Sequence, residues 1–332
     1  MPIAQPNANI TELVATTNPA TTKKVYDSVT KNNALLSRLM EKKNVRMVNG
    51  GAPIRENILF SENGNATFYS GAESWSLAQQ NVITAAEFGV SEAVSPIVIV
   101  GNEKAANRGS AQIISLLANK MTAATATLKN IVATSLHSDG TGYGGREFTG
   151  LQSAISVTPT AGTYGSIDRS VATNTFWRNQ AFGGVTNGTG AVSSANIQAY
   201  MNTLWFSCTR GSDCPDLIIA DNNYYNAYLQ SLQSLQRFPL QSEKMANLGF
   251  QSLKYQLADV VLDGGIGGAI PTNRMYFLNT DYLFFRPLEG YDFKVETDAR
   301  VPVNQDAEAY AIFFKGNLTC GGAQFQGVLT NN

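Results

Sequence analysis

A long amphipathic period between residues 103 and 137 constrains this chain more than any other feature. Its apolar residues recur at three- and four-residue intervals, as on one face of an α-helix, and they are Ile113, Leu117, Met121, Ala124, Leu128, Ile131 and Leu136. Asn102 is suited to cap the start and Gly140 to end the run. At a rise of about 1.5 Å per residue, the helix reaches about 50 Å. Because the charge pattern of a coiled coil is absent, we predict a single helix, Glu103–His137, lying along a sheet.

The residues before this helix, Pro53–Val100, are rich in strand formers. Two strand-like runs, Ile54–Phe60 and Ala66–Ser70, flank Asn63-Gly64, which is the strongest short hairpin signal. Residues 82–94 then alternate apolar and more polar side chains, which predicts a strand of about a dozen residues, twice the usual length. Few residues remain to pack beside so long a strand. We therefore expect a projecting β-ribbon that finds its partners on other molecules.

The N-terminal part of the chain predicts little independent structure. Residues 1–24 are rich in Thr, Asn, Pro and Ala and have no period, which indicates an extended arm that becomes ordered only where it docks. A short helix is expected around Asn33–Lys42, where apolar residues return at helical spacing.

The second half of the chain predicts a compact α/β lobe followed by strands. A helix at Ser194–Phe206, with Ser193 or Ser194 as its cap, precedes a buried strand at Pro215–Asp221 and a helix at Asn223–Arg237. Strands return after Leu257 in the segments DVVLD, MYFLNTDYLFFRP, FKVETDARV, AYAIFFKGNLTC and AQFQGVL. Glycine clusters separate these segments, and no internal repeat is evident.

Composition narrows the classes of function. The chain of 332 residues has 24 basic and 25 acidic residues, a net charge of −1, without the basic excess of proteins that read nucleic acids. Charged residues make up only 15%, which suits burial against other subunits. Three cysteines without a CxxC pair favour a reducing cytoplasm over a disulfide scaffold. No signal peptide and no apolar run long enough for a membrane span is present in the sequence.

The stretch HSDGTGYGGREFTGLQSAI, residues 137–155, contains the only histidine and is the strongest candidate for an active-site loop. A nucleophilic triad would need His137, but this residue falls at the end of the long helix, where a cationic imidazole is favoured without any catalytic role. The glycines follow a helix, whereas phosphate-binding loops precede one. We therefore predict a connection rather than a site.

Other chemistry-bearing residues also have structural explanations. One histidine and three scattered cysteines do not supply a metal site by local spacing, and the carboxylates of Asp298–Glu308 are read as a solvated turn. Asp221 is expected to cap the helix that follows it, and Tyr224 and Tyr228 to pack on one helix face. The sequence thus predicts no catalytic residue, no cofactor and no metal.

The order of these elements resembles the major capsid protein of tailed bacteriophages, the Hong Kong 97-type capsid fold. The resemblance rests on the helix Glu103–His137, the turn Gly150–Ile155 directly after it, the Trp-containing segment Ser166–Arg178, the strand–helix unit 215–232 and the ribbon Pro53–Pro96. The resemblance covers most of the chain. It rests on the order of the elements and on the character of their residues, without an invariant motif.

The resemblance implies an α+β fold with a long spine helix, an extended β-ribbon loop, and peripheral and axial domains. The expected division is an N-terminal arm at 1–46, the ribbon loop at 47–100, a peripheral domain at 101–160 with its spine helix at 103–137, an axial α/β domain at 161–256, and return strands of both domains at 257–332. Inter-subunit contacts are expected at Ile54, Phe60, Phe68, Tyr69, Trp75 and Phe88.

The implied function is structural. Such proteins assemble as pentamers and hexamers into an icosahedral shell around double-stranded DNA, so this chain is expected in the virion, made in the host cytoplasm, with no membrane partner. Because residues 1–24 are short and little charged, a separate scaffolding protein is expected, together with a portal, a decoration or cement protein, and non-specific contact with packaged DNA. The absence of Lys between Lys43 and Lys104 argues against covalent cross-linking through the ribbon.

Two alternatives stay open at this stage. One is the shell of a cellular nanocompartment with the same fold, which would enclose enzyme cargo. The other is a glycan-binding β-rich protein or an enzyme that uses Trp75, Trp177 and the tyrosines at 224, 225 and 228.

Overall fold

The computed structural model describes residues 33–50, 53–106, 116–234, 252–264, 268–296 and 306–332. The predicted arm at 1–24 lies outside these residues, as do the middle of the predicted spine helix and most of the segment Asp298–Glu308.

In the described part of the chain the helices are α1 (Ala34–Glu41), α2 (Gly101–Ala106), α3 (Leu116–Ser135), α4 (Gly142–Gly145), α5 (Leu151–Ala154), α6 (Ile197–Cys208) and α7 (Asn222–Ser234). The strands are β1 (Ile54–Leu59), β2 (Ile83–Phe88), β3 (Ser91–Val100), β4 (Thr163–Tyr164), β5 (Ile167–Asp168), β6 (Gln180–Gly183), β7 (Leu217–Ala220), β8 (Ser252–Tyr255), β9 (Ala258–Leu262), β10 (Arg274–Leu278), β11 (Leu283–Pro287), β12 (Lys294–Val295), β13 (Ala307–Cys320) and β14 (Gly327–Thr330). Mixed helices and sheets confirm the α+β class.

Two larger sheets organise the described residues. A six-stranded mixed sheet has the order β6-β14-β10-β7-β9-β8, in which β14 pairs with β6 and β7 with β9 in parallel. A second sheet is built on β13, which pairs with β11, β12 and β3, all antiparallel. The ribbon, β1 with β2, forms a separate antiparallel pair.

Helix α3 packs on the β13 sheet because one of its faces is apolar. Ala124, Leu128 and Val132 follow each other at four-residue intervals and are buried in the same core as Ile97 and Phe314 of the sheet. Its exposed side carries threonines whose hydroxyls bond to the carbonyl four residues earlier. At about 1.5 Å per residue the described part of α3 alone is about 30 Å long.

A second buried cluster lies where α6 and α7 cover the six-stranded sheet. Met201, Leu204, Tyr228, Tyr255 and Phe277 belong to it. Strand β7 is buried along its whole length, as its apolar run predicts for a central strand covered on both faces. This is the α/β lobe that the sequence predicts.

Several predicted boundaries are confirmed where local capping chemistry decides them. Asn33 caps α1, and its side-chain oxygen accepts a hydrogen bond from the Leu36 N–H at 2.8 Å. Asp221 caps α7 in the same way, at 3.0 Å from the Tyr224 nitrogen.

Other boundary predictions are wrong. The ribbon strand opposite β1 is β2, not residues 66–70, which form no strand, so the Asn63-Gly64 hairpin does not exist. The single strand predicted at 82–94 is two strands, because the chain changes partner from β1 to β13 at Gly89-Val90.

Helix ends and the C-terminal strands differ as well. Helix α2 begins at Gly101, so Asn102 lies inside its first turn, and α3 ends at Ser135. Helix α6 begins at Ile197 after Asn196 rather than after a serine cap. The long strand predicted at 275–287 is broken by a 3₁₀ turn at Thr280–Tyr282, which Asn279 caps.

Candidate assembly surfaces

The base of the ribbon is fixed to the body by a buried ion pair. Glu56 of β1 accepts hydrogen bonds from Arg286 of β11, with an Nη2–Oε1 distance of 2.6 Å, and from the Thr319 hydroxyl of β13 at 2.8 Å. Both charged side chains are largely buried. If β1 moved away from β11, both charges would lose their partner, which is strongly unfavourable for buried groups. The ion pair therefore holds the base of the ribbon in one position on the sheet.

The far end of the ribbon is an aromatic tip that its own chain leaves uncovered. We use "aromatic tip" for the segment 61–82, whose large side chains are exposed: Phe68 fully, Leu77 to 87%, Tyr69 to 66% and Trp75 to 58%. The rings of Tyr69 and Trp75 contact each other edge to face at 5.7 Å between centroids. Several large apolar side chains exposed on one extended segment are typical of a binding element.

The residues predicted to contact other subunits fall into two groups. Ile54 and Phe88 are buried in the core of their own chain at the ribbon base, and Phe60 packs on Phe176 with 5.2 Å between centroids. The other three, Phe68, Tyr69 and Trp75, belong to the aromatic tip and are exposed. Contact with another subunit remains a prediction for these three residues.

A second exposed apolar surface lies on the β13 sheet, on the face away from α3. Cross-strand pairs share one face of a sheet, and here they are Val94 with Phe313, Pro96 with Ala311, Val98 with Ala309 and Val100 with Ala307. Val94 and Val98 are each exposed to 51%. Sequence reasoning missed this surface, although the uncharged and almost wholly apolar run from Val94 to Val100 was its signal.

His137 is sealed inside the protein rather than presented at a cleft. Its Nε2 lies 2.7 Å from Oδ2 of Asp263, and its Nδ1 lies 3.3 Å from the Ala133 carbonyl oxygen. The approach to Asp263 is close, but its angle is poor for a hydrogen bond. The Gln152 side chain donates to the His137 carbonyl oxygen at 2.8 Å. With the imidazole fully buried, no substrate reaches it along the described surface.

The glycine loop after α3 serves as a joint. Gly150 sits so close to the end of α3 that a Cβ there would lie 2.7 Å from the carbonyl oxygens of both Leu136 and Ser138, and closer still to that of Ser135. Only glycine fits this approach. Glu147 completes the joint by accepting from the Ser135 and Ser138 hydroxyls at 2.7 and 2.6 Å.

The aromatic residues of the glycan-binding alternative are mostly inaccessible. Trp177 is fully buried, and its indole N–H donates to the Tyr164 carbonyl oxygen at 2.8 Å. Tyr224 and Tyr228 are also buried, and burial raises the pKa of both phenols. These rings offer no face on which a sugar could stack.

Two kinds of feature are absent from the residues that the structure describes. Within those residues, no three His, Cys, Asp or Glu side chains converge on one point. None of the helices described has both the length and the apolar character needed to cross a bilayer.

Comparisons with known proteins agree at the level of structure. No protein-family model and no curated protein matches the chain. The capsid of cyanophage A-1(L) matches with a TM-score of 0.65 and 17% identity, over 94% of this chain and 96% of that one. The capsid of a native GTA particle matches with a TM-score of 0.60 and 13% identity, over 94% of each chain.

This chain has the tailed-phage capsid fold. The Hong Kong 97-type resemblance expected from the sequence is thereby confirmed for the fold. The same capsid fold occurs in the SrpI encapsulin of Synechococcus elongatus, which matches with a TM-score of 0.59 and 10% identity, over 99% of this chain and 96% of that one.

Proposed function

We propose that this protein is a structural subunit that assembles as pentamers and hexamers into an icosahedral shell enclosing double-stranded DNA, with no catalytic role. The observation that carries the proposal is the aromatic tip, which exposes four large apolar side chains on a projecting segment. Apolar side chains that stay exposed to water do not stabilise a monomer. Burial of each of them against a neighbouring subunit would stabilise the assembly by about 1.5–3 kcal/mol.

The proposed domains follow the expected division. Helix α3 and the β13 sheet form the peripheral domain, at 101–160 and part of 257–332, together with β3 (Ser91–Val100), which the expected division placed in the ribbon loop. The lobe covered by α6 and α7 forms the axial domain, which begins at 161. The axial sheet also takes in β9, β10 and β14, so it draws three of its six strands from 257–332 and three from 161–256. The arm and the ribbon then reach across neighbouring subunits.

The proposed partners follow from charge and composition. A net charge of −1 suits a container that touches packaged DNA without gripping it. A separate scaffolding protein, a portal and a decoration protein complete the proposed particle, and the protein is made in the host cytoplasm before it enters the virion.

A nanocompartment shell is the second candidate, favoured by the match to the encapsulin over 99% of this chain. Such a shell would enclose protein cargo instead of DNA. Expression in the native host, followed by purification of particles and treatment with nuclease, separates the two. We expect protected double-stranded DNA, whereas particles that contain a co-purifying enzyme and no DNA would support the nanocompartment.

Electron microscopy of the recombinant protein, with the scaffolding protein co-expressed, tests shell formation itself. We expect closed particles or ring-shaped capsomers. A protein that stays monomeric at every concentration tested, with and without scaffold, contradicts the proposal.

A further inference from the structure

The Asn63-Gly64 pair lies in an exposed turn of the aromatic tip, although it forms no hairpin. Both residues are exposed. The Ala66 N–H donates to the Asn63 carbonyl oxygen at 3.1 Å, and the Asn65 N–H donates to Oδ1 of the Asn63 side chain at 3.0 Å. Both donors follow Asn63 within three residues. Among the described residues, no hydrogen bond therefore ties Asn63 to the body of the protein.

An Asn-Gly pair in such a position can react with itself. The Gly64 nitrogen loses its proton and attacks Cγ of Asn63, so that a bond forms between these two atoms and the bond from Cγ to Nδ2 breaks. The side-chain amide leaves as ammonia, which takes up the proton that the nitrogen lost, and a five-membered succinimide ring remains. Water then opens the ring, at Cγ to give aspartate or at the backbone carbonyl carbon to give isoaspartate. The reaction consumes only water, and no atom is oxidised or reduced.

Gly64 leaves the path of this attack open. A glycine has no Cβ, so another group can approach its nitrogen closely. A Cβ built on Gly64 would meet only Oε1 of Gln80, at 3.8 Å, so the surrounding chain does not fill the space either. Within the part of the chain that the structure describes, the Gly64 N–H donates no hydrogen bond that ring closure would have to break.

The chain has two other Asn-Gly pairs, at Asn49 and Asn187. The first adjoins residues outside the described part, so Asn187-Gly188 provides the comparison. Oδ1 of Asn187 accepts from the Gly183 N–H at 3.0 Å, and the Asn187 N–H donates to the Gly183 carbonyl oxygen at 2.8 Å. Gly183 ends β6 in the six-stranded sheet, and a Cβ on Gly188 would lie 2.7 Å from the Gly184 carbonyl oxygen. The Asn187 side chain must therefore detach from the sheet before its Cγ can reach the Gly188 nitrogen.

We infer that Asn63 is a site of spontaneous deamidation that the fold leaves unprotected, whereas the fold protects Asn187. The product places a carboxylate beside Glu62, in a segment whose only charged residues are Glu62 and Glu73, so the formal charge of 61–82 changes from −2 to −3. The isoaspartate form also lengthens the backbone of the turn by one methylene group. The aromatic tip thus records the age of the subunit as a covalent change. This is a property of the single chain, beyond the proposed shell function, and it holds whether or not shells form.

Mass spectrometry of the unassembled full chain, aged at pH 8 in ¹⁸O-water, tests the inference. Each deamidated asparagine takes up one heavy oxygen from the solvent, and the rate is measured in the folded chain and again in guanidinium chloride. At Asn63 the two rates should agree within about twofold, because an exposed turn opens at almost no cost. At Asn187 the folded chain should react at least about tenfold more slowly, the effect of about 1.4 kcal/mol of local opening. Equal rates at the two sites in the folded chain would overturn the inference.

Gly64→Ala is the matched variant. The φ of Gly64 lies outside the left-handed region and its surroundings have room for a methyl group, so the circular dichroism spectrum should not change. The new Cβ hinders the attacking nitrogen and should slow deamidation at Asn63 by at least about tenfold, the effect of about 1.4 kcal/mol. Asn187 in the same sample is the internal control, and its rate should stay the same.

Deamidation of Gly64→Ala at the wild-type rate would contradict ring closure at Asn63. The comparison of the folded and unfolded wild-type chain needs no variant, so it decides the inference even if the substitution alters the turn. A chain that deamidates at Asn63 as expected but forms no particles overturns the proposed function and leaves this inference standing.

Discussion

Replacing Phe68 by alanine should weaken assembly without weakening the folding of the subunit. The side chain is fully exposed in the single chain, so Phe68→Ala should change the free energy of unfolding of the unassembled subunit by no more than about 0.5 kcal/mol. In an assembly that buries the ring, the same change removes about 2 kcal/mol per contact. That loss lowers the association constant about 30-fold. The subunit should therefore stay folded while its critical concentration for assembly rises.

Two measurements check this prediction. Urea denaturation followed by circular dichroism gives subunit stability, and light scattering against protein concentration gives the onset of assembly. Phe206→Ala is the matched control, because Phe206 is exposed to 70% on α6 and lies outside the ribbon. The reasoning is refuted if Phe68→Ala assembles at the wild-type concentration, or if the two variants shift assembly equally.

Three further predictions concern the interior. Gly150→Ala should abolish soluble expression or lower the melting temperature sharply, because the new Cβ would meet the carbonyl oxygens at the end of α3; a melting curve like wild type would contradict this. His137→Ala should still assemble but lose about 0.5–3 kcal/mol in urea denaturation, because it leaves a cavity in place of a fully buried side chain, and an unchanged midpoint would contradict this. Burial raises the pKa of the Cys208 and Cys320 thiols to about 12, so at pH 8 both stay protonated and a thiol reagent should label only Cys214 in the native protein; rapid labelling of all three would show the core is open.

Local signals in the sequence predict the starts of two helices and the buried face of a third. The cap residues Asn33 and Asp221 fix the starts of α1 and α7, because the capping hydrogen bond involves only neighbours in the chain. The apolar face of α3 was likewise visible as a period, since that face is the one buried against the sheet.

Strand pairing is less accessible because it depends on distant residues. The Asn63-Gly64 signal is local, yet β1 pairs with β2, which begins more than twenty residues further along the chain. The alternation at 82–94 predicts extended chain but not the change of partner at Gly89, which the position of β13 imposes. Register and breaks of this kind are set by tertiary contacts.

The candidate surfaces show the same difference between features set by neighbours in the chain and features set by distant residues. Ile54 and Phe68 look alike in sequence, as apolar residues of one ribbon, but the first lies at the base in the core and the second at the exposed tip. A cavity beside β3 is lined by residues of β3, of α3 and of the loop 143–148, so no local pattern indicates it. The position of Arg146 in the wall of this cavity is likewise set by the fold and is not visible from its neighbours in the sequence.

The molar mass of the assembled protein tests the central claim most directly. Multi-angle light scattering after size-exclusion chromatography, with scaffolding protein present during expression, should show particles many times heavier than the 35.7 kDa chain, with capsomers as the smaller species. A single peak at the mass of one chain, under every condition in which the protein is folded, would contradict the account.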